Sequence, residues 1–160
     1  MNQQEKSTET EALEHDASLR SQTPCVLLVE DDRSVRRYLE VTLQRSGYRV
    51  ITASDGLEAM KLALASEIDV VITDAVMPHL SGQQLAKFLR ANPRVAHLPV
   101  ILLTGQANRA VAATGDDQID AFLYKPVNAG ELTNCLARLL QKSHPINPNT
   151  GRRTIPHRIK

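Results

Sequence analysis

Predominantly apolar residues come in short runs, separated by stretches with helical spacing, and the alternation recurs five times between residues 24 and 142. The runs are "CVLLV" (25–29), "YRVITA" (48–53), "DVVIT" (69–73), "PVILLT" (99–104) and "AFLY" (121–124). Their length suits strands, and their largely apolar character suits strands buried on both faces. After the first run, Val35, Leu39 and Leu43 recur at helical spacing, with Gly47 as a helix stop. Asp55 with Glu58 reads as a capping box ahead of a helix whose expected apolar face is Leu57, Met60 and Leu64. Ser81 is the expected cap of a helix facing inward through Leu85, Phe88 and Leu89. A short helix is expected around 107–114. Asn128 and Glu131 form a second capping box before Leu132, Leu136 and Leu139. Five strand–helix units with apolar strands predict an α/β fold, a parallel sheet covered by helices on both faces.

In open sheets of this kind, function collects beyond the carboxyl ends of the strands. The first strand runs into Glu30, Asp31 and Asp32, and the third into Asp74. The fourth ends on Thr104, and the fifth on Lys125 followed by Pro126. Acids, a hydroxyl and a lysine, far apart in sequence, are thus expected at one edge of the sheet.

Charge and composition add the ends of the chain to this picture. Residues 1–23 hold five acids, two bases and almost no large apolar side chains, the composition of an acidic tail without a core of its own. Residues 143–160 carry four bases, no acid and three prolines, and read as a basic tail. The intervening 24–142 holds 13 Lys/Arg and 13 Asp/Glu. A neutral core of this kind does not advertise a nucleic-acid surface. Eighteen residues after position 142 are too few for a helix-turn-helix domain, so no DNA-binding domain is expected. No apolar run reaches membrane-spanning length and the N-terminus lacks a signal-peptide pattern, which makes a cytoplasmic location the default. Cys25 and Cys135 lack metal spacing and read as buried thiols. The five histidines, His15, His79, His97, His144 and His157, show no metal spacing either.

Gathering Glu30, Asp31 and Asp74 is costly, because two carboxylates about 4 Å apart repel by roughly 4 kcal/mol at an effective dielectric of 20. The cluster therefore calls for a cation or for protonation of one member. A hard divalent ion fits, and Mg²⁺ needs only one or two carboxylates plus water and phosphate oxygens. Lys125 would suit a pocket receiving a phosphoryl group, Thr104 could bond a phosphoryl oxygen, and Asp74 could be a nucleophile forming an acyl phosphate. Taken singly, each has a plainer reading. Asp74 could cap a turn, Thr104 a helix, Lys125 could be a surface lysine, and Phe122 core packing.

The motifs "VLLVEDD", "VVITDAVMPHLSG", "PVILLTG" and "AFLYKPV", in this order and spacing, resemble the receiver domain of two-component response regulators. The resemblance extends over 24–142 and is similar to the stand-alone, chemotaxis-regulator type. It implies a three-layer, doubly wound (βα)5 fold of the flavodoxin-like kind with strand order 2-1-3-4-5. It implies Asp74 as the phosphorylated aspartate and Mg²⁺ held by Asp31 and Asp74, by Glu30 through water, and by the backbone carbonyl of Val76. Thr104 is implied as the switch hydroxyl, Lys125 as the phosphate-pairing lysine and Phe122 as the switch aromatic. Asp32 falls one place beyond the acidic pair and reads as a helix cap. The Lys125–Pro126 bond is often cis in such relatives. Val76 and Gln106 flank the expected phosphoryl site. The implied partners are a sensor histidine kinase or histidine phosphotransfer protein and a downstream protein. That target would meet the face of the fourth helix, fifth strand and fifth helix. One departure concerns this face: relatives place Gly-Ala before the fifth strand, where this chain has Gln118 and Ile119, which predicts a short or irregular fourth helix.

Two other functions compete with the phosphorylation switch. An aspartyl-phosphate hydrolase of the haloacid-dehalogenase type wants a second aspartate two residues after the nucleophile, where this chain has Val76 after Asp74 and Arg33 after Asp31. A docking module working without phosphorylation would keep the pocket only for stability. The expected protein is a phosphoacceptor rather than a turnover enzyme.

Overall fold

The structure is a computed structural model that describes residues 23–105 and 116–143. The tail reading for 1–23 (all but Thr23), the helix expected around 107–114, Gln106, and the tail beyond Ser143 lie outside the described residues. The elements run β1 (Cys25–Val29), α1 (Arg33–Arg45), β2 (Arg49–Ala53), α2 (Gly56–Ala65), β3 (Val70–Asp74), α3 (Gly82–Ala91), β4 (Val100–Thr104), β5 (Ala121–Tyr124) and α4 (Ala129–Ser143). The five strands form one parallel sheet in the order β2-β1-β3-β4-β5.

Burial follows from this order. The three inner strands, β1, β3 and β4, are buried at every position, while the edge strands β2 and β5 are only partly covered. Alternate residues face opposite layers, as strand geometry requires. Leu27, Val29, Val71, Val100 and Leu102 pack with Ala59, Ala63, Leu85, Ala86 and Leu89, so α2 and α3 cover one face. Val26, Leu28, Val70, Ile72, Ile101 and Leu103 pack with Leu39, Leu43, Leu132, Leu136 and Leu139, so α1 and α4 cover the other. Cys25 and Cys135 are both buried and free, and burial pushes both thiols above their ordinary pKa.

Local signals account for most boundaries. Asp32 caps α1, accepting from the Ser34 and Val35 N–H groups at 2.8 and 2.9 Å. Gly47 adopts φ 90 just beyond α1, a left-handed conformation that glycine enters without a Cβ penalty. Its N–H donates to Gln44 O and that of Tyr48 to Leu43 O, satisfying carbonyls of the last turn. Ser81 and Gln84 form a reciprocal capping box at the start of α3. Asn128 Oδ1 accepts from Gly130 N at 2.8 Å and more weakly from Glu131 N at 3.4 Å.

Three expectations change. The face of α2 is not the Leu57–Met60–Leu64 stripe: Leu57 is 58% exposed, and the buried positions are Gly56, Ala59 and Ala63. Gly56 lies against Leu80, whose side chain an added Cβ would strike, so the helix start sits too near the β3–α3 loop for a larger residue. Met60 and Leu64 pack at the margin of the same cluster. The capping box of α2 is also displaced. Asp55 accepts from Glu58 N at 2.8 Å, but the Glu58 carboxylate reaches back to Ser54 N rather than to the cap residue itself. Strand starts shift by one residue, with β2, β3 and β4 beginning at Arg49, Val70 and Val100.

Candidate functional site

Parallel register brings the strand ends level. Val29 pairs with Thr73, Asp74 with Leu103, and Thr104 with Tyr124. The next residues therefore leave the sheet together, placing Glu30, Asp74, Thr104 and Lys125 along one edge. The ladder runs a step further, with Ala75 N donating to Leu103 O and Lys125 N to Thr104 O, both at 2.8 Å. Glu30, Asp74 and Thr104 are buried, whereas Asp31 is exposed.

Lys125 is the cation that makes this burial tolerable. Its Nζ lies 2.9 Å from Glu30 Oε2 and 3.2 Å from Asp74 Oδ2. Burial works against the lysine charge, but the two carboxylates outweigh it and raise the Lys125 pKa above its ordinary value. Burial also raises the Glu30 pKa, against the opposing hydrogen bonds from Lys125 and from Asp32 N, with Asp74 adding repulsion. The other Glu30 oxygen, Oε1, accepts from Asp32 N at 3.1 Å.

One lysine neutralises two carboxylates incompletely. Glu30, Asp31 and Asp74 each offer an oxygen, and these oxygens lie within 4.8 Å of one another. Among the described residues the Asp31 carboxylate has no hydrogen-bond or ion-pair partner. Three converging hard oxygen donors with a charge deficit fit Mg²⁺, and the absence of sulfur or imidazole donors in the cluster argues against zinc. Asp31 and Asp74 would hold the ion directly, with Glu30 already engaged by Lys125 and Asp32.

The loop beyond Asp74 supplies backbone rather than side chains. Val76 is 67% exposed, and its N–H approaches Asp74 Oδ1 at 3.5 Å. His79 is exposed with φ 69, a left-handed conformation in a turn. Thr104 donates at 3.4 Å to Gly105 O. Phe122 is half-buried against the α2/α3-side cluster. The Lys125–Pro126 peptide bond is cis.

Two residues at this edge were not singled out from sequence. Gly82 opens α3, and its N–H donates to Ala75 O at 3.1 Å. An added Cβ there would strike the Asp74 carbonyl and the Leu102 side chain. The signal was present as the final glycine of "VVITDAVMPHLSG", but no local pattern says what a Cβ would meet. Gly82→Ala is expected to cost about 1–3 kcal/mol through overpacking against backbone. This exceeds the ~0.5–1 kcal/mol that Gly→Ala normally gains in a helix. A lowered urea midpoint at unchanged m checks it. The second residue, Arg36, donates from Nη1 to Glu30 O at 2.7 Å.

The profile of the response regulator receiver domain matches residues 26–137. The chain belongs to the response regulator receiver family. Among curated relatives, it is 32% identical over 126 residues to the alkaline phosphatase synthesis transcriptional regulatory protein PhoP of Bacillus subtilis (strain 168), covering 78% of this chain and 52% of that protein. It is 37% identical over 120 residues to the probable transcriptional regulator ycf27 of Guillardia theta, covering 74% and 46%. The chain thus spans about half the length of the curated relatives it matches. Among solved structures, chemotaxis protein CheY4 of Vibrio cholerae aligns with a TM-score of 0.68 at 33% identity, covering 73% of this chain and 98% of that one. A receiver domain protein from Clostridium thermocellum aligns with a TM-score of 0.67 at 28% identity, covering 74% and 95%. The sheet order 2-1-3-4-5 is that of the flavodoxin-like receiver fold. No helix among the described residues of this receiver is long and apolar enough to cross a membrane.

Proposed function

We propose that this receiver accepts a phosphoryl group on Asp74 from a phosphohistidine of a sensor histidine kinase or a histidine phosphotransfer protein. The observation carrying this reading is the convergence of Asp31, Asp74, Glu30 and Lys125 at the strand ends, with Asp74 buried yet bordering the exposed Asp31. An Asp74 carboxylate oxygen forms a bond to phosphorus as the N–P bond of the donor breaks. The imidazole nitrogen leaves with that electron pair, and the product is an acyl phosphate. Mg²⁺, when bound, would neutralise charge on the transferring phosphoryl group. Asp31 and Asp74 would hold that ion directly, Glu30 would act through water, and the Val76 carbonyl would be a further oxygen ligand. Lys125 then turns from the carboxylates to a phosphoryl oxygen, its positive charge held by the raised pKa.

The added phosphoryl group offers Thr104 a bonding partner beyond its present weak contact with Gly105 O. Phe122, half-buried on the adjacent strand, would follow it inward, biasing a pre-existing two-state equilibrium. The outcome is a changed face toward a downstream protein, built from β5, α4 and the segment between β4 and β5. The domain acts as a phosphoacceptor and not as a turnover enzyme, because Val76 stands where a hydrolase would carry its general acid.

Intact mass after incubation with Mg²⁺ and acetyl phosphate or phosphoramidate tests the reading. One phosphate adduct is expected on the natural chain, none on Asp74→Asn, and none in chelator. An adduct that persists in Asp74→Asn, or sustained turnover of a phosphomonoester, would overturn it.

A further inference from the structure

Glu30 and Asp31 lie on the three-residue connection between β1 and α1, and their carboxylates can face Asp74 only if that connection holds one course. At the strand side, Glu30 N donates to Ala53 O at 3.1 Å. At the helix side, Asp32 caps α1. The carbonyls in between have left the sheet and lie outside the helix ladder. Arg36 meets them: its Nη1 donates to Glu30 O at 2.7 Å and to Asp31 O at 3.4 Å. Arg36 is itself fixed, since its N–H donates to Asp32 O at 2.9 Å as part of the first turn of α1. Arg36 is partly buried, and one guanidinium nitrogen serves both carbonyls, closely at Glu30 O and weakly at Asp31 O.

From this geometry we infer that Arg36 is a positioning residue for the divalent-cation site, acting on the backbone of the two acids rather than touching ion or phosphoryl group. The inference rests on the reading of Asp31 and Asp74 as Mg²⁺ ligands. Two effects of Arg36 oppose each other. Its positive charge repels a cation, so losing the charge alone would tighten binding. Its hydrogen bonds hold the acids in their converging arrangement, so losing them loosens binding. Outer partners that orient ligands typically change metal affinity by about 10–100-fold when removed. The short bond to Glu30 O makes the positioning effect the larger one.

The test measures the Mg²⁺ dissociation constant of the full chain by calorimetry, alongside the unfolding midpoint in chelator and amide exchange over 30–34. Arg36→Gln is expected to weaken Mg²⁺ binding about tenfold and to speed exchange of the connection in the metal-free protein. Arg36→Lys, which keeps the charge and one donor, is expected to restore most of the affinity. Unchanged or tighter binding in Arg36→Gln overturns the inference, as does a lowered midpoint with unchanged affinity. The control Asp31→Asn separates the two claims: if the natural chain binds Mg²⁺ no better than Asp31→Asn, the metal reading fails and the inference with it.

Discussion

Lys125→Met is expected to lower the unfolding free energy by about 2–4 kcal/mol at neutral pH in chelator. Breaking a buried ion pair by removing one partner leaves an uncompensated charge, which typically costs about 3–5 kcal/mol. The lower end applies because the lysine side chain is 29% exposed and partly screened. Glu30 bears most of the loss, being 1% exposed with Lys125 on one carboxylate oxygen.

The same variant has a pH signature whose sign follows from Glu30. Burial holds the Glu30 pKa above its ordinary value, and loss of the lysine pushes it further in that direction. A raised folded-state pKa contributes stability that is fully present below the unfolded value, ~4.3 for glutamate, and is lost as pH rises through the folded value. The variant's deficit is therefore full at neutral pH and shrinks as acid protonates Glu30. Lys125 in the natural chain obeys the same rule at the alkaline end. Its contribution is complete below ~10.4, the ordinary lysine value, and is lost only above it. Urea unfolding of both proteins at pH 7.5 and pH 5 checks this; a deficit that grows toward acid would contradict the account. Added Mg²⁺ should also narrow the gap, because the cation replaces part of the missing charge.

Arg90→Ala is the second large effect, at the opposite end of the sheet. Arg90 closes α3 and donates from Nη1 to Ala96 O at 2.9 Å and Leu98 O at 2.7 Å. Its Nη2 donates to Gln118 O at 2.9 Å and Asp120 Oδ2 at 2.7 Å. Asp120 Oδ2 also accepts from Val100 N at 2.7 Å, so one guanidinium ties the starts of β4 and β5 to α3. The ion pair alone is partly exposed, 24% at Arg90 and 39% at Asp120, and worth little. The three carbonyls are different, since each loses a charged donor in a partly buried setting. Together they set the expected loss at about 2–4 kcal/mol, read as a lower urea midpoint. Arg90→Lys should recover less than half, because an ammonium cannot span four acceptors in one plane. A variant within 0.5 kcal/mol of the natural chain, the usual range of a plain surface substitution, would show that the clamp contributes nothing.

Arg90 also illustrates what a sequence withholds. In "KFLRANPRV" it looks like any polar residue in the last turn of a helix, and its four acceptors come from positions 96, 98, 118 and 120. Leu57 fails for a related reason. Periodicity marks it apolar, but α2 approaches the sheet through Gly56, Ala59 and Ala63, and small residues give no strong periodic signal. The loop residue Leu80 takes the space against Gly56 that a larger side chain would need.

The strands were legible because a strand buried on both faces is largely apolar: β1 is so throughout, β3 until Thr73 and β4 until Thr104. The caps at Asp32, Asp55, Ser81 and Asn128 were legible because an orphan N–H is satisfied by a side chain within three residues. The list of strand-end residues, and hence the members of the site, needed only those strands and the parallel order. Their mutual arrangement needed the fold. That Lys125 bonds Glu30 as well as Asp74, that Arg36 braces the acids' backbone, and that Gly82 lies against the Asp74 carbonyl are facts of register and packing. Short-range patterns follow from backbone geometry and hydrogen bonds that close within a few residues. Charge compensation and steric exclusion act between atoms that only tertiary structure brings together.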